Sequence, residues 1–332
     1  MRRFFTGIIL LWVGLLLPLT LLITWQRQDA PVNQLLYVSA SINLVTYYQV
    51  RLDTLERHEI SPRLLATRRH LYIPPGEDNL SPDSTSTIGI MPTSHQQSDI
   101  MIRYENGDPP FVIETSGQAY APVWSPDGGW IAFHMVDYDY GWTADLYRVQ
   151  VGTATPERLT DTADYTEEMP RWSPDGEWLA FVHRSIWGDP HIYKIRPDGT
   201  DLQQISQTPA TLPAWSPDSQ WIAYSGYRGS GEIFLADVAG TSEEKLTDVR
   251  GYDTDPMWSP DGQWIAFLSA LGADTDLYAI RLADRKLITV SATSNLESKP
   301  QWIIPPDLPW QPLYLLVVGV LLPFLFKVYK AH

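Results

Sequence analysis

An all-β, six-bladed β-propeller carrying a transmembrane helix at each end is the fold class this sequence predicts, on three observations. A five-residue phrase, Trp-Ser-Pro-Asp followed by Gly or Ser, recurs at Trp124–Gly128, Trp172–Gly176, Trp215–Ser219 and Trp258–Gly262. The steps between its tryptophans are 48, 43 and 43 residues, the period of a four-stranded propeller blade. Two uncharged apolar runs, at 4–25 and 308–326, bracket the repeats.

The phrase sits in a longer frame, Pro-x-Trp-Ser-Pro-Asp-Gly-x-Trp-(Ile/Leu)-Ala-(Phe/Tyr). Pro126, Pro174, Pro217 and Pro260 preset φ for the second residue of a tight turn, and the next residue, Asp, can bond nearby backbone N–H groups. Gly then supplies positive φ, so each copy reads as a hairpin corner. The Pro-x-Trp before it is a first strand. Trp130-Ile-Ala-Phe133 and its relatives are a second strand, apolar enough to be packed on both faces. Third strands follow at 145–149, 191–195, 232–236 and 276–280, and fourth strands end at 158–160, 202–205, 245–247 and 286–288.

The ends of the repeat array decide the blade count. Lys299-Pro-Gln-Trp302 restates the first strand 44 residues after Trp258 and then runs into Ile-Ile-Pro-Pro. At the other end, Leu35–Ser39, Asn43–Leu52 and Arg57–Ile60 read as second, third and fourth strands lacking a first. Leu80-Ser-Pro-Asp-Ser84, 44 residues before Trp124, opens a worn blade completed by Thr87–Met91 and Asp99–Tyr104. The count is six, with the first blade closed by 297–303, a closure that removes exposed strand edges.

These residues resemble the TolB-type, WD40-like propeller repeat, found also in the propellers that precede prolyl-oligopeptidase-like hydrolase domains. The resemblance runs from about Leu35 to Trp302 and implies a propeller of bacterial source. It implies little about activity, because that fold hosts binding proteins, gating domains and a few enzymes. No stretch between Trp25 and Leu35 accommodates the α/β domain that precedes the TolB propeller, and about 30 residues follow Trp302 where the peptidases have a hydrolase domain.

Phe4–Trp25 is long enough to cross a hydrocarbon core of about 30 Å; a cleaved signal peptide is the alternative. The run at 308–326 has Trp310 at one border and Lys327, Tyr329 and Lys330 at the other. All 39 acidic residues lie between Asp29 and Asp307, together with 19 of the 24 basic ones. Arg2 and Arg3 before the first run, and the lysines after the second, place both termini in the cytoplasm by the positive-inside rule, with the propeller extracytoplasmic at the cell membrane. The expected division is therefore cytoplasmic N-terminus 1–3, transmembrane helix 4–25, linker 26–34, propeller 35–303, linker 304–307, transmembrane helix 308–326 and cytoplasmic tail 327–332. The absence of cysteine is compatible with an exported domain built on its core. A net charge of −15 argues against nucleic acid and anionic lipid as partners.

In a propeller the Ser-Pro-Asp-Gly corners all lie on one face, here termed the bottom, and both ends of the ring leave from it. The opposite, top face is the candidate binding surface, built from the loops joining second to third strands and one blade to the next. Aromatics and carboxylates dominate these loops: Asp137, Tyr138, Asp139, Tyr140, Trp142, Tyr165, Trp187, Tyr227, Tyr252 and Asp253. Such residues on rigidly held loops are the types that anchor partners; the alternative is that the rings fold back as loop packing. Asp137 and Asp139 with Asp164 are the oxygen-ligand set nearest to a metal site. His134, His183 and His191 occupy inequivalent frame positions and show no metal-ligand spacing. There is no Gly-x-Ser-x-Gly, and the frame serines belong to corners. The expectation is a non-enzymatic module, without cofactor, that binds a protein or peptide partner at its top face. The alternative is a carbohydrate-binding or carbohydrate-lyase propeller of the cell envelope.

Overall fold

Every copy of the Ser-Pro-Asp phrase closes its hairpin with the same three side-chain bonds. At the first full copy, Ser125 Oγ donates to Asp127 Oδ1 at 2.6 Å, Gly129 N donates to the same oxygen at 2.9 Å, and Trp130 N donates to Ser125 Oγ at 2.8 Å. The set repeats at Ser173/Asp175, Ser216/Asp218 and Ser259/Asp261, and also in the worn copy at Ser81/Asp83. The residue after Asp is left-handed throughout, with φ of +72° at Gly128 and 60° at Ser219. Serine stands at the latter, where Ser219 Oγ accepts a bond from Asp175 N of the neighbouring corner at 3.1 Å.

The computed structural model describes residues 34–41, 44–52, 57–60, 71–72 and 79–303, the last span apart from positions 95, 137, 139–142, 163, 228, 230, 250, 272–273, 292–295 and 298–300. The expected membrane segments at 4–25 and 308–326 lie outside the described residues. Among the described residues there is no helix long and apolar enough to cross a membrane.

The strands form antiparallel units in chain order. Blade 3 comprises Gln118–Trp124, Trp130–Val136, Ala144–Gln150 and Glu157–Arg158. Blade 4 comprises Tyr165–Trp172, Leu179–Ser185, His191–Ile195 and Gln203–Gln204. Blade 5 comprises Ala210–Trp215, Trp221–Gly226, Ile233–Asp237 and Glu243–Lys245. Blade 6 comprises Tyr252–Trp258, Trp264–Leu271, Asp274–Arg281 and Leu287–Ser291. Blade 2 keeps Ser86–Ser94, Gln97–Tyr104 and Phe111–Ile113, its first strand reduced to the bridge Leu80↔Thr87. Blade 1 draws on both ends of the chain. Gln34–Ser41 pairs with Leu44–Arg51, which pairs with Arg57–Ile60, and its other edge pairs with Leu296–Glu297 and Gln301–Ile303, with Leu35 opposite Trp302. A short strand the sequence did not announce, Leu71–Tyr72, pairs with the free edge of Gln301–Ile303.

Alternation along the second strands explains the motif Trp-Ile-Ala-Phe. In blade 3, Ile131 and Phe133 pack with Ile88, Ile100 and Ile102 of blade 2, while Ala132 faces the other way, into a cluster with Trp172 and Phe181 of blade 4. Blades 5 and 6 repeat this: Ile265 and Phe267 meet Ala214 and Leu235, and Ala266 shares a cluster with Trp302 of blade 1. Small alanines thus leave room for the large indole of the next blade, and blades 3 to 6 are apolar on both faces because both are buried.

Those indoles also tie blade to blade by hydrogen bonds. Trp124 Nε1 donates to Asn79 O at 3.2 Å, Trp215 Nε1 to Arg171 O at 3.0 Å, Trp258 Nε1 to Ala214 O at 3.1 Å and Trp302 Nε1 to Met257 O at 3.4 Å. Each acceptor is the residue just before the corresponding frame position of the preceding blade. The series breaks once: Trp172, 3% exposed, has no partner for Nε1.

The first strands share one irregularity. Register shifts between Tyr120/Val123, Glu168/Arg171, Thr211/Ala214 and Thr254/Met257, and each bulge holds a left-handed non-glycine residue: Ala121, Met169, Leu212 and Asp255, with φ of 45° to 57°. A bulge reverses the side-chain phase. Ala119 and Trp124 therefore enter the same cluster, as do Ala210 and Trp215.

Candidate functional site

The top face separates the sequence-predicted residues into three groups. Asp137, Asp139, Tyr140 and Trp142 lie outside the described residues. Tyr138 is half-buried and its hydroxyl donates to Gln118 Oε1 at 2.8 Å, within blade 3. Tyr165, Trp187, Tyr227 and Tyr252 are exposed. Tyr252 reaches across the seam between blades 5 and 6, where its Oη donates to the carbonyl of Gly226, the residue before Tyr227, at 3.4 Å and its ring lies against Gly231, leaving no space for a side chain there.

Asp253 is the exception. It is fully buried, and its carboxylate accepts Ser269 Oγ at 2.6 Å and Thr247 Oγ1 at 2.5 Å. The sequence places it on an open loop; in the structure the strand begins at Tyr252, and the bulge at Asp255 turns Asp253 into the seam that holds Trp258. Burial pushes its carboxyl pKa up, and the two hydroxyls oppose the shift. Asp253 therefore joins blade 5 to blade 6, instead of meeting a partner.

Glu167 occupies the same frame position in blade 4, and the sequence reading passed it over. It is fully buried, accepting Thr162 Oγ1 at 2.5 Å and Thr160 Oγ1 at 3.2 Å from the blade 3 side, and it faces His183 Nδ1 at 2.9 Å on its own blade. The available signal was an acid five residues before the frame tryptophan, preceded by a Leu-Thr-Asp phrase, at Leu159-Thr-Asp161 and Leu246-Thr-Asp248. Thr160 also caps the third strand of blade 3 through Leu146 N, as Thr247 caps that of blade 5 through Ile233 N, both at 2.9 Å. Asp145 joins this network by accepting Thr160 Oγ1 at 3.4 Å and Thr162 N at 3.3 Å, and it pairs with Arg158 at 2.6 Å; burial raises its pKa against the pull of that guanidinium.

Two histidines are locked by aromatic rings. His183 lies with its centroid 4.4 Å from both Tyr165 and Tyr193. His134 stacks on Tyr120 at 5.3 Å and accepts Met169 N on Nδ1 at 3.4 Å. Burial first, and the Arg171 charge second, push the His134 pKa down to about 4. His191 Nδ1 lies 3.3 Å from Ser206 O. Among the described residues no three His, Asp or Glu side chains gather as a metal-holding group. Asp164 is exposed and its carbonyl accepts Ile186 N at 3.1 Å.

On the bottom face, a groove of about 590 Å³ lies between the corners of blades 5 and 6. Its apolar floor includes Trp221, Leu235 and Leu282. Across its rim Arg285 pairs with Glu244 at 2.5 Å.

The family model for the TolB beta propeller domain matches residues 206–307. Among solved structures, TolB from Acinetobacter baumannii is 19% identical with a TM-score of 0.54, the alignment covering 81% of this chain and 66% of that one. A protein described as a TolB from Agrobacterium tumefaciens is 18% identical with a TM-score of 0.54, covering 82% of this chain and 99% of that one. An oligogalacturonate lyase from Vibrio parahaemolyticus is 16% identical with a TM-score of 0.52, covering 77% and 74%. At these identities the likeness is one of fold, and this chain spans just under two thirds of the Acinetobacter protein. No curated protein sequence matches the chain.

Proposed function

Because this chain carries a propeller of the TolB type, we propose that it is a non-enzymatic binding or scaffold module that takes a protein or peptide partner at its top face. We place it at the cell membrane, with the propeller extracytoplasmic and both termini cytoplasmic. The observation that carries the binding reading is the set of exposed rings at one end of a rigid array: Trp187 at 96%, Tyr227 at 45%, Tyr165 at 40% and Tyr252 at 39% exposure. Large aromatic rings held by a scaffold lose little conformational freedom on contact, which is why they anchor interfaces. The anchoring reading is supported by the basic residues outside the two apolar runs and the acidic span between them.

A photo-activatable residue placed at position 187 or 227 in living cells should give discrete protein adducts, and one at the corner position Asp218 should not. Adducts from the corner alone would overturn the assignment of the top face.

A second reading, carbohydrate binding or lysis, is favoured by one feature: exposed Tyr165 and Trp187 stand beside carboxylates, a combination suited to sugar rings, and the lyase from Vibrio parahaemolyticus shares the fold. Glycan-array binding that disappears in both Tyr165→Ala and Trp187→Ala, without protein adducts at position 187, would favour it.

A further inference from the structure

The turn at the tip of blade 4 displays its aromatic ring on a closed, tied support. Gly188 N donates to Ser185 O at 3.0 Å and Ile186 N to Asp164 O at 3.1 Å, so the turn is bonded to itself and to the strand entering the blade. A side chain at position 188 would meet Ser185 Oγ at 2.2 Å, so the serine hydroxyl would have to turn aside to admit one. Trp187 at 96% exposure and Ile186 at 51% project from this support. Beside them Tyr165 keeps one face outward, its other face stacked on His183 with an interplanar angle of 16°.

Elsewhere three tryptophans have their ring faces covered by cations of the same chain. Arg148 lies 4.3 Å over Trp130, Arg281 lies 5.4 Å over Trp264, and Trp178 is flanked by Lys194 at 3.9 Å and Arg196 at 4.1 Å. Trp187 has no such cation from its own chain among the described residues. The neighbouring basic groups are already engaged: Arg158 by Asp145 and Asp161, and Arg184 by Glu168. Among the described residues the carboxylate of Asp164 has no cation, and Asp161, though paired with Arg158, keeps 82% of its side chain in water.

We propose that the tip of blade 4 receives a basic segment of a protein partner, whose Lys or Arg side chains lie over Trp187 and Tyr165 and end on the carboxylates of Asp164 and Asp161. The inference rests on the top-face binding reading and names the chemistry of its partner. A cation on an exposed indole is held by the ring quadrupole, and an acidic rim both accelerates the encounter and rejects acidic competitors.

The test is selection of displayed random twelve-residue peptides on the full chain in nanodiscs, followed by affinity measurement with the selected peptides as synthetic probes. Basic peptides should be enriched. Trp187→Ala should weaken them about tenfold and Asp164→Asn about threefold, and high salt should weaken them further. Because Trp187 is almost wholly exposed, Trp187→Ala should melt with the parent protein, separating lost binding from lost folding. Neutral or acidic peptides that still depend on Trp187 would overturn the basic partner and leave the top-face reading standing. Peptides that depend on Tyr227 or Tyr252 and ignore Trp187 would overturn the blade 4 site alone. Selected peptides indifferent to all of these residues would overturn both.

Discussion

Replacing a frame tryptophan by phenylalanine should cost different amounts at two positions that look the same in sequence. Trp258 and Trp172 are 2% and 3% exposed, and Trp→Phe removes the same ring atoms from each, so the transfer and cavity costs largely cancel in the comparison. The hydrogen-bonding consequences do not cancel. At Trp258 the substitution breaks the 3.1 Å bond to Ala214 O, a net loss of about 1 kcal/mol. At Trp172 it removes a buried donor that has no acceptor, which relieves a penalty of about 1–3 kcal/mol. Trp258→Phe should therefore be less stable than Trp172→Phe by at least about 2 kcal/mol. In melting temperature this is a gap of about 4–8 °C, at about 2–4 °C per kcal/mol for a domain of this size. Circular dichroism melts of the two full-length variants side by side measure it. Equal losses, or a larger loss for Trp172→Phe, would show that the indole-to-carbonyl series contributes nothing to the ring.

Protease added to spheroplasts should digest the propeller and leave tags on both termini protected; an exposed C-terminal tag would refute the two-span arrangement. The His134 pKa of about 4 against an ordinary value of 6.5 means that the unfolded chain takes up a proton the folded chain refuses. Stability should fall as pH drops through that window, by at most about 3 kcal/mol. His134→Gln should flatten this part of the profile, and an unchanged slope would exclude His134 as its source. A chain spanning 29–292 lacks Leu296–Ile303, the innermost edge of blade 1, and should aggregate or melt far below a chain spanning 29–307; matching melts would reject closure by that strand.

The corners, the blade period and the stitched first blade were legible because their causes are local. Proline, aspartate and glycine fix a turn through bonds reaching no more than five residues, and the same letters recur wherever the same turn does. The bulges were not legible. Their left-handed residues are Ala121, Met169, Leu212 and Asp255, three apolar residues and an acid, none of them the glycine such a conformation favours. The surrounding sheet imposes the conformation. Since the bulge reverses the alternation, an acid five residues before the tryptophan points into a seam, and Asp253 passed for a loop carboxylate while Glu167 went unremarked. On the top face the sequence supplied Trp187 and Tyr165 by residue type. It gave no hint that His183 backs Tyr165, because the pairing of Glu167 with His183 depends on the strand register.

The seams are consequently not equivalent. Between blades 5 and 6 the lower end is tied by Trp258 to Ala214 O and the upper end by Thr247 to Asp253. Between blades 3 and 4 the lower tie is missing, and the upper end carries a larger network in which Thr160 and Thr162 converge on Glu167 while Arg158 holds Asp145. The same seam has the longest repeat, the 48-residue step from Trp124 to Trp172. A buried carboxylate bonded by two hydroxyls and a histidine is costly to leave half-satisfied, so Glu167 holds this junction to one geometry where apolar packing alone would tolerate sliding. Tyr165 stacks on the histidine of that network, and Ile186, the neighbour of Trp187, is bonded through Asp164 to the same strand. The fixity of the proposed binding tip therefore derives from the polar lock directly beneath it.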